Sequence, residues 1–175
     1  NAIHLLSAEG LIDVRPRSGT FVASVTASDL RETFEIRRAL ECLAAENACQ
    51  RATPDDVADL RDLLALLAQP VEGDRDRARH EQHNVRFHQT MLKIAGNERL
   101  IASYSQLNAH IQIARIHADD TDWHRRLDRE RAEHREIVDA IAAHDAERAI
   151  RAVRAHIDRA CESLVEAIEK KNANS

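Results

Sequence analysis

Glycine and proline are scarce, with 4 and 3 in 175 residues, and Ala, Leu, Arg, Glu and Asp dominate instead. That scarcity excludes a strand-rich sandwich built on frequent tight turns. Aromatic residues are few as well: Phe21, Phe34, Phe87, Tyr104 and Trp123 are all there are, too few for a base-stacking platform. Positive charge is not in excess, since 25 basic against 30 acidic residues leave a net charge of -5. No basic footprint covers the chain, so any DNA contact must be local. The three cysteines, Cys42, Cys49 and Cys161, form no CxxC pair, and their odd number fits packing residues in a reducing compartment. No apolar run approaches the roughly 18 residues that span a bilayer, and no charged-then-apolar leader precedes Asn1. A soluble, cytoplasmic protein with no membrane partner is expected. The initiator Met is missing too, and the chain opens inside what reads as a helix, so residues upstream are expected. Histidine is what the sequence has in surplus, with ten.

The order of elements follows from the period of the apolar residues. Ala2 to Glu9 has helical spacing and stops at Gly10, a typical residue just past a helix end. Leu11 to Arg15 and Thr20 to Ala23 are short β-branched runs around Pro16-Arg17-Ser18-Gly19, which predicts a hairpin. From Ser28 the period turns helical and stays so. Ser28 and Asp29 are expected to cap a helix reaching about Gln50, and Thr53-Pro54 starts a second that lasts until Pro70. A third runs from about Gly73 to Ala95 before Gly96. Asn97 caps a fourth to about His117. The polar cluster Asp119-Asp120-Thr121 precedes a fifth, and His144-Asp145 precedes a sixth that reaches about Lys171. The fold class expected is all-α: a six-helix antiparallel bundle with short links, preceded by a helix tail and a β-hairpin. Charge-rich Asp74 to Glu81 is expected to be a solvated face.

Three histidines fall on apolar stripes. Asn84, Phe87, His88, Met91 and Ala95 share one face of the third helix, because residues three and four apart are neighbours. The fifth helix carries His134 among Trp123, Leu127, Ile137, Val138 and Ile141. The sixth carries His156 among Ala149, Val153 and Ala160. His134 lies ten residues before His144 and His156 twelve after it. Both therefore sit some 15 to 18 Å from the bend, level across two antiparallel helices. With Asn84 and His88 one turn apart on a third helix, four donors can converge inside the bundle, the usual place for a bundle's metal. Without a thiolate in the set, the ions that suit it are Zn, Ni, Fe or Mn. The bland alternative is three core histidines satisfied by hydrogen bonds. His80, His83, His110, His117, His124 and His144 share no such register and are expected to face solvent or cap helices; His110, beside Leu107 and Ile111, is also placed to line a pocket.

Ala2 to Ala23, above all Leu6-Ser7-Ala8-Glu9-Gly10-Leu11-Ile12 and Pro16-Arg17-Ser18-Gly19-Thr20-Phe21-Val22-Ala23, resembles the end of the recognition helix plus the wing of a GntR-superfamily winged helix-turn-helix repressor. Ser28 to about Lys171 resembles the FCD-type ligand-binding domain of the FadR branch, through Phe34-Glu35-Ile36-Arg37-Arg38-Ala39-Leu40-Glu41, Asn84-Val85-Arg86-Phe87-His88 and Ala95-Gly96-Asn97. The resemblance implies residues 1–23 as the remnant of a winged DNA-binding domain, 24–27 as a linker, 28–171 as a sensor domain and 172–175 as a tail. It implies a divalent metal held by Asn84, His88, His134 and His156, with Asn84 in place of the commoner Asp. It also implies a small organic acid effector, a homodimer and operator DNA as partner, and it implies that roughly the first 50 residues of the superfamily's usual domain are absent.

Arg37 matches an arginine that commonly faces the effector pocket, where a guanidinium holds a carboxylate through paired donors. The alternative for Arg37 is a helix-surface pair with Glu41 at i+4. Tyr104, Trp123 and His110 are candidate pocket walls. Arg15 and Arg17 are candidate contacts to phosphates or the minor groove, or part of a solvated turn. The function expected is a metabolite-responsive transcription regulator rather than an enzyme. The alternatives are a metal-dependent hydrolase, for which no committed acid or base stands out because Glu130 is as well placed to pair with Arg126, and a helical interaction module without metal. With only Arg15 and Arg17 offered to phosphates, counterion release on DNA is small. The 175 residues should therefore bind an inverted-repeat operator weakly in a mobility-shift titration, and tight, salt-resistant binding would contradict this.

Overall fold

A computed structural model describes residues 2–8, 10–117 and 123–173, with the side chains of residues 5, 8, 116, 117 and 123–125 outside the description. The order is a short helix α1 (Ala2–Ala8), a hairpin of β1 (Ile12–Arg15) and β2 (Gly19–Val22), then α2 (Ala27–Arg51), α3 (Pro54–Leu67), α4 (Asp74–Ala95), α5 (Glu98–His117), α6 (Trp123–Ala142) and α7 (Ala146–Ala173). The hairpin is antiparallel, pairing Ile12 with Val22 and Arg15 with Gly19, and its turn holds Arg17 in the left-handed region at φ 66°. The polar cluster expected at Asp119 to Thr121 lies outside the described residues. Among the described residues no helix is long and apolar enough to cross a membrane.

Helix starts follow local chemistry. α2 begins one residue earlier than Ser28, with Thr26 rather than Ser28 or Asp29 as its cap. Asp29 N donates to Thr26 Oγ1 at 3.1 Å and Thr26 N donates to Asp29 Oδ2 at 3.1 Å, so Asp29 is the third helical residue of a capping box. Thr53 and Asp56 repeat the device ahead of Pro54, and Leu100 N donates to Asn97 Oδ1 at 3.1 Å at the start of α5. The charged stretch 74–81 is largely exposed, but His80 within it is buried, which corrects the expectation of a wholly solvated face.

α2 is the central helix, packed along α7 and α4 and touching α5 and α6. Ala44, Ala45 and Ala48 let its neighbours approach closely, and Leu60, Phe87, Met91, Ile137, Ile141, Val153 and Ile157 close the core around it. Cys49 is buried, Cys42 and Cys161 are half-buried, and all three are free, in keeping with packing roles. The end of α2 is tied to the end of α4: Arg51 Nη1 donates to Ala95 O at 2.8 Å and to Gly96 O at 3.2 Å. Gly96 turns the chain at φ 63°, a conformation in which a Cβ crowds the following carbonyl. Gly96→Ala should therefore cost about 1 to 2 kcal/mol, read as a lowered urea midpoint; an unchanged midpoint would contradict the account of this turn.

Candidate metal centre

The helical register delivers four polar side chains to one place in the bundle. Asn84 and His88 stand one turn apart on α4, His134 comes from α6 and His156 from α7, and all four are buried. One ring nitrogen from each imidazole falls within 4.8 Å of the other two. The His134 and His156 rings are 4.5 Å apart between centroids, and His88 lies 5.4 and 5.2 Å from them. Phe87 forms an apolar floor, with its ring 4.4 Å from that of His134.

Carboxylates orient two of the rings. Glu41 Oε2 accepts from His88 Nδ1 at 2.6 Å, and Glu133 Oε2 accepts from His156 Nδ1 at 2.9 Å. Carboxylates bear no proton at neutral pH, so each fixes its imidazole as the Nδ1–H form and leaves a lone pair on Nε2. His88 Nε2 is buried without a hydrogen-bond partner, as is His134 Nδ1. The Asn84 amide lies against His134 and Arg115. With its NH2 group donating to His134 Nε2 at 3.3 Å, its oxygen accepts from Arg115 Nη2 and Nη1 at 3.1 and 3.2 Å. In that orientation Asn84 holds His134 in place rather than offering its own oxygen. Neutral imidazoles, an orphaned nitrogen and carboxylates on the far ring atoms are what a divalent transition metal needs from a protein, so the residues present fit such an ion.

The electrostatics keep the His134 and His156 rings neutral. Burial first, and then His88, lower His156 to about 3; burial and His156 push His134 well below the usual imidazole range. Burial would raise the Glu41 carboxyl, but Arg37 and then His88 outweigh it and hold it low. Arg37 Nε donates to Glu41 Oε1 at 2.7 Å.

Arg37 thus pairs with Glu41 as the alternative had it, but in the core rather than on the surface, with 2% and 0% of the two side chains exposed. Arg37 Nη1 is buried and unpartnered. Tyr104 is buried beside this pair and hydrogen-bonds to it, and it is not among the residues that line the cavity beside His156. His110 stands elsewhere: it lines a crevice of about 360 Å³ with Gly10, Ala23 and Ile36, which none of the three clustered histidines lines. Trp123 opens α6, and its side chain lies outside the described residues, as do those of His117 and His124. Arg15 and Arg17 are exposed on the hairpin; Arg15 bonds Asp13 at 3.0 Å and sits over the Phe21 ring. His80, expected to face solvent, is buried with Nε2 3.4 Å from Glu130 Oε1, because it falls on the stripe that carries Asn84 and His88. His144 takes a turn position and its Nδ1 lies 2.7 Å from Cys49 O. Beside His156 a cavity of about 280 Å³ is lined by Glu130, Glu133, Arg115, Arg126 and Arg159.

The FCD domain family matches residues 32–159. The Nta operon transcriptional regulator of Aminobacter aminovorans is 30% identical over 168 residues, covering 95% of this chain and 76% of its own length. The uncharacterized HTH-type transcriptional regulator YdhC of Bacillus subtilis is 28% identical over 173 residues, covering 99% of this chain and 76% of its own. The solved structure of E. coli McbR/YncC superposes with a TM-score of 0.82 at 21% identity, over 94% of this chain and 82% of that one, a likeness of fold.

The lowered His134 and His156 carry a consequence for metal-free protein. Unfolded imidazoles take up protons near the ordinary value while the folded ones do not, so the unfolded state binds more protons and stability rises with pH. Stability should fall as pH drops from about 6.5 toward 5, above the carboxylate range, by on the order of 1 kcal/mol per pH unit for each ring. Urea midpoints across that window should show the slope in metal-free protein and a shallower one in His156→Gln; a flat profile would contradict neutral buried rings.

Proposed function

Because the chain belongs to the FCD-domain family of GntR-type transcriptional regulators, we propose that its helical domain, residues 28–171, is the metal- and effector-binding sensor of a metabolite-responsive regulator. The family and its named relatives are regulatory, which removes the hydrolase alternative. His88, His134 and His156 hold the ion, Zn, Ni, Fe or Mn, and Asn84 stands beside it. Residues 1–23 belong to a winged DNA-binding domain whose hairpin brings Arg15 and Arg17 to operator phosphates. Residues 24–27 link it to the sensor, and 172–175 form a tail. The protein works in the cytoplasm as a homodimeric repressor.

The observation that carries this reading is the buried triad, with one ring nitrogen of each imidazole within 4.8 Å of the others, while Glu41 and Glu133 occupy Nδ1 of two rings. A bound divalent ion supplies a Lewis acid for carboxylate oxygens. Around it the chain supplies guanidinium groups: Arg115 at Asn84, and Arg37, whose unpartnered Nη1 is available to a second oxygen. Burial, reinforced by the charge of Arg37, lowers Arg115 to about 10, so an incoming anion relieves repulsion between the two.

Purified protein should carry about one divalent ion per subunit by mass spectrometry of the metal. His134→Ala should lose it and remain helical by circular dichroism, whereas His110→Ala should keep it. Undiminished metal in His134→Ala would overturn the assignment.

A further inference from the structure

The small cavity beside His156 carries an acid where a plain carboxylate would meet repulsion. Arg77, Arg115, Arg126 and Arg159 face it together with Glu81, Glu130 and Glu133, and the exposed Arg129, Glu162 and Glu166 also line it. Glu133 already takes His156 Nδ1 and an ion pair with Arg159, and Arg115 pairs with Glu81. Glu130 stands one turn before His134 on α6, with a quarter of its side chain exposed, and His80 steadies it from behind. Burial would raise its carboxyl, but the hydrogen bond from His80 keeps it low. A carboxylate offers only lone pairs, so this part of the wall accepts hydrogen bonds and gives none.

We propose that Glu130 sets the effector class, selecting acids with a hydroxyl on the carbon next to the carboxylate, that is, 2-hydroxycarboxylates. The inference rests on the metal-anchored carboxylate reading above. A carboxylate or keto oxygen turned toward Glu130 sets lone pair against lone pair, and an unpaired acceptor in a small, largely buried space is costly. A hydroxyl at that position donates to Glu130 while the carboxylate faces the guanidinium groups. An ammonium at the same position would satisfy Glu130 but would add a cation beside Arg77, Arg115, Arg126 and Arg159, where Glu81 and Glu133 are already engaged by Arg115 and Arg159.

Two matched series test this with the full chain loaded with one equivalent of zinc: propionate, pyruvate, lactate and alanine, and succinate, oxaloacetate, malate and aspartate, each titrated by calorimetry. The hydroxy acid of at least one series should bind about tenfold tighter than its three analogues. In Glu130→Gln, whose amide can donate to a keto oxygen, the preference for hydroxy over keto acid should vanish while zinc stoichiometry is unchanged. Equal binding within both series, or a keto or amino acid on top, overturns the inference and leaves the carboxylate reading intact. A zinc-loaded protein that binds none of the eight overturns both. If Glu130→Gln does not fold, the ranking in the unaltered protein decides alone.

Discussion

Three imidazoles buried against one another are the constraint around which the bundle is arranged. Each brings two ring nitrogens into the buried core, where a polar group without a partner costs about 1 to 3 kcal/mol. Glu41 and Glu133 satisfy one nitrogen each on His88 and His156, and Asn84 satisfies one on His134. Those partners bring needs of their own. Glu41 is a fully buried anion, which Arg37 and Tyr104 must offset, and Asn84 leans on Arg115. The polar centre thus spreads through α2, α4, α5, α6 and α7, and orphaned nitrogens still remain on His88 and His134. A core filled with apolar side chains would avoid that cost, so the retention of this centre fits a group from outside the chain that partners it.

The same network joins the centre to the helix nearest the hairpin. Glu41 and Arg37 lie on α2, whose first residue, Ala27, follows the hairpin by a few residues. Glu41 thus ties the His88 ring on α4 to Arg37 on α2. His110 on α5 is close to Gly10 at the end of α1, with its ring carbon Cε1 3.8 Å from where a Cβ would stand. α2 and α5 are the two helices that both reach the polar centre and border the hairpin side of the bundle.

Much of this was legible in the sequence. The 3.6-residue period, Thr53-Pro54, and the glycines at 10 and 96 set the elements, and the spacing of His134 and His156 about His144 placed them level, as their ring separation of 4.5 Å bears out. Arg37 and Glu41 were harder, since a charged i, i+4 pair ordinarily marks a surface. The signal was there: Leu30, Phe34, Arg37, Glu41, Ala44, Ala45 and Ala48 form one buried stripe. His80 sits on the stripe of Asn84 and His88 in the same way. Glu133 was harder still: it stands four residues before Ile137 and seven before Ala140 on a buried face of α6, but only the packing of α6 on α7 brings it to His156 twenty-three residues away. The amide orientation of Asn84 likewise depends on Arg115, from a helix whose position no local spacing fixes.

X-ray absorption at the metal edge of zinc- or cobalt-loaded protein tests the central claim most directly, because it counts ligands without reference to any variant. Three imidazole nitrogens at about 2.0 to 2.1 Å with oxygen donors completing the shell is the result the structure predicts. A shell of oxygens with one imidazole or none would contradict it, and would leave the three histidines as packed core residues.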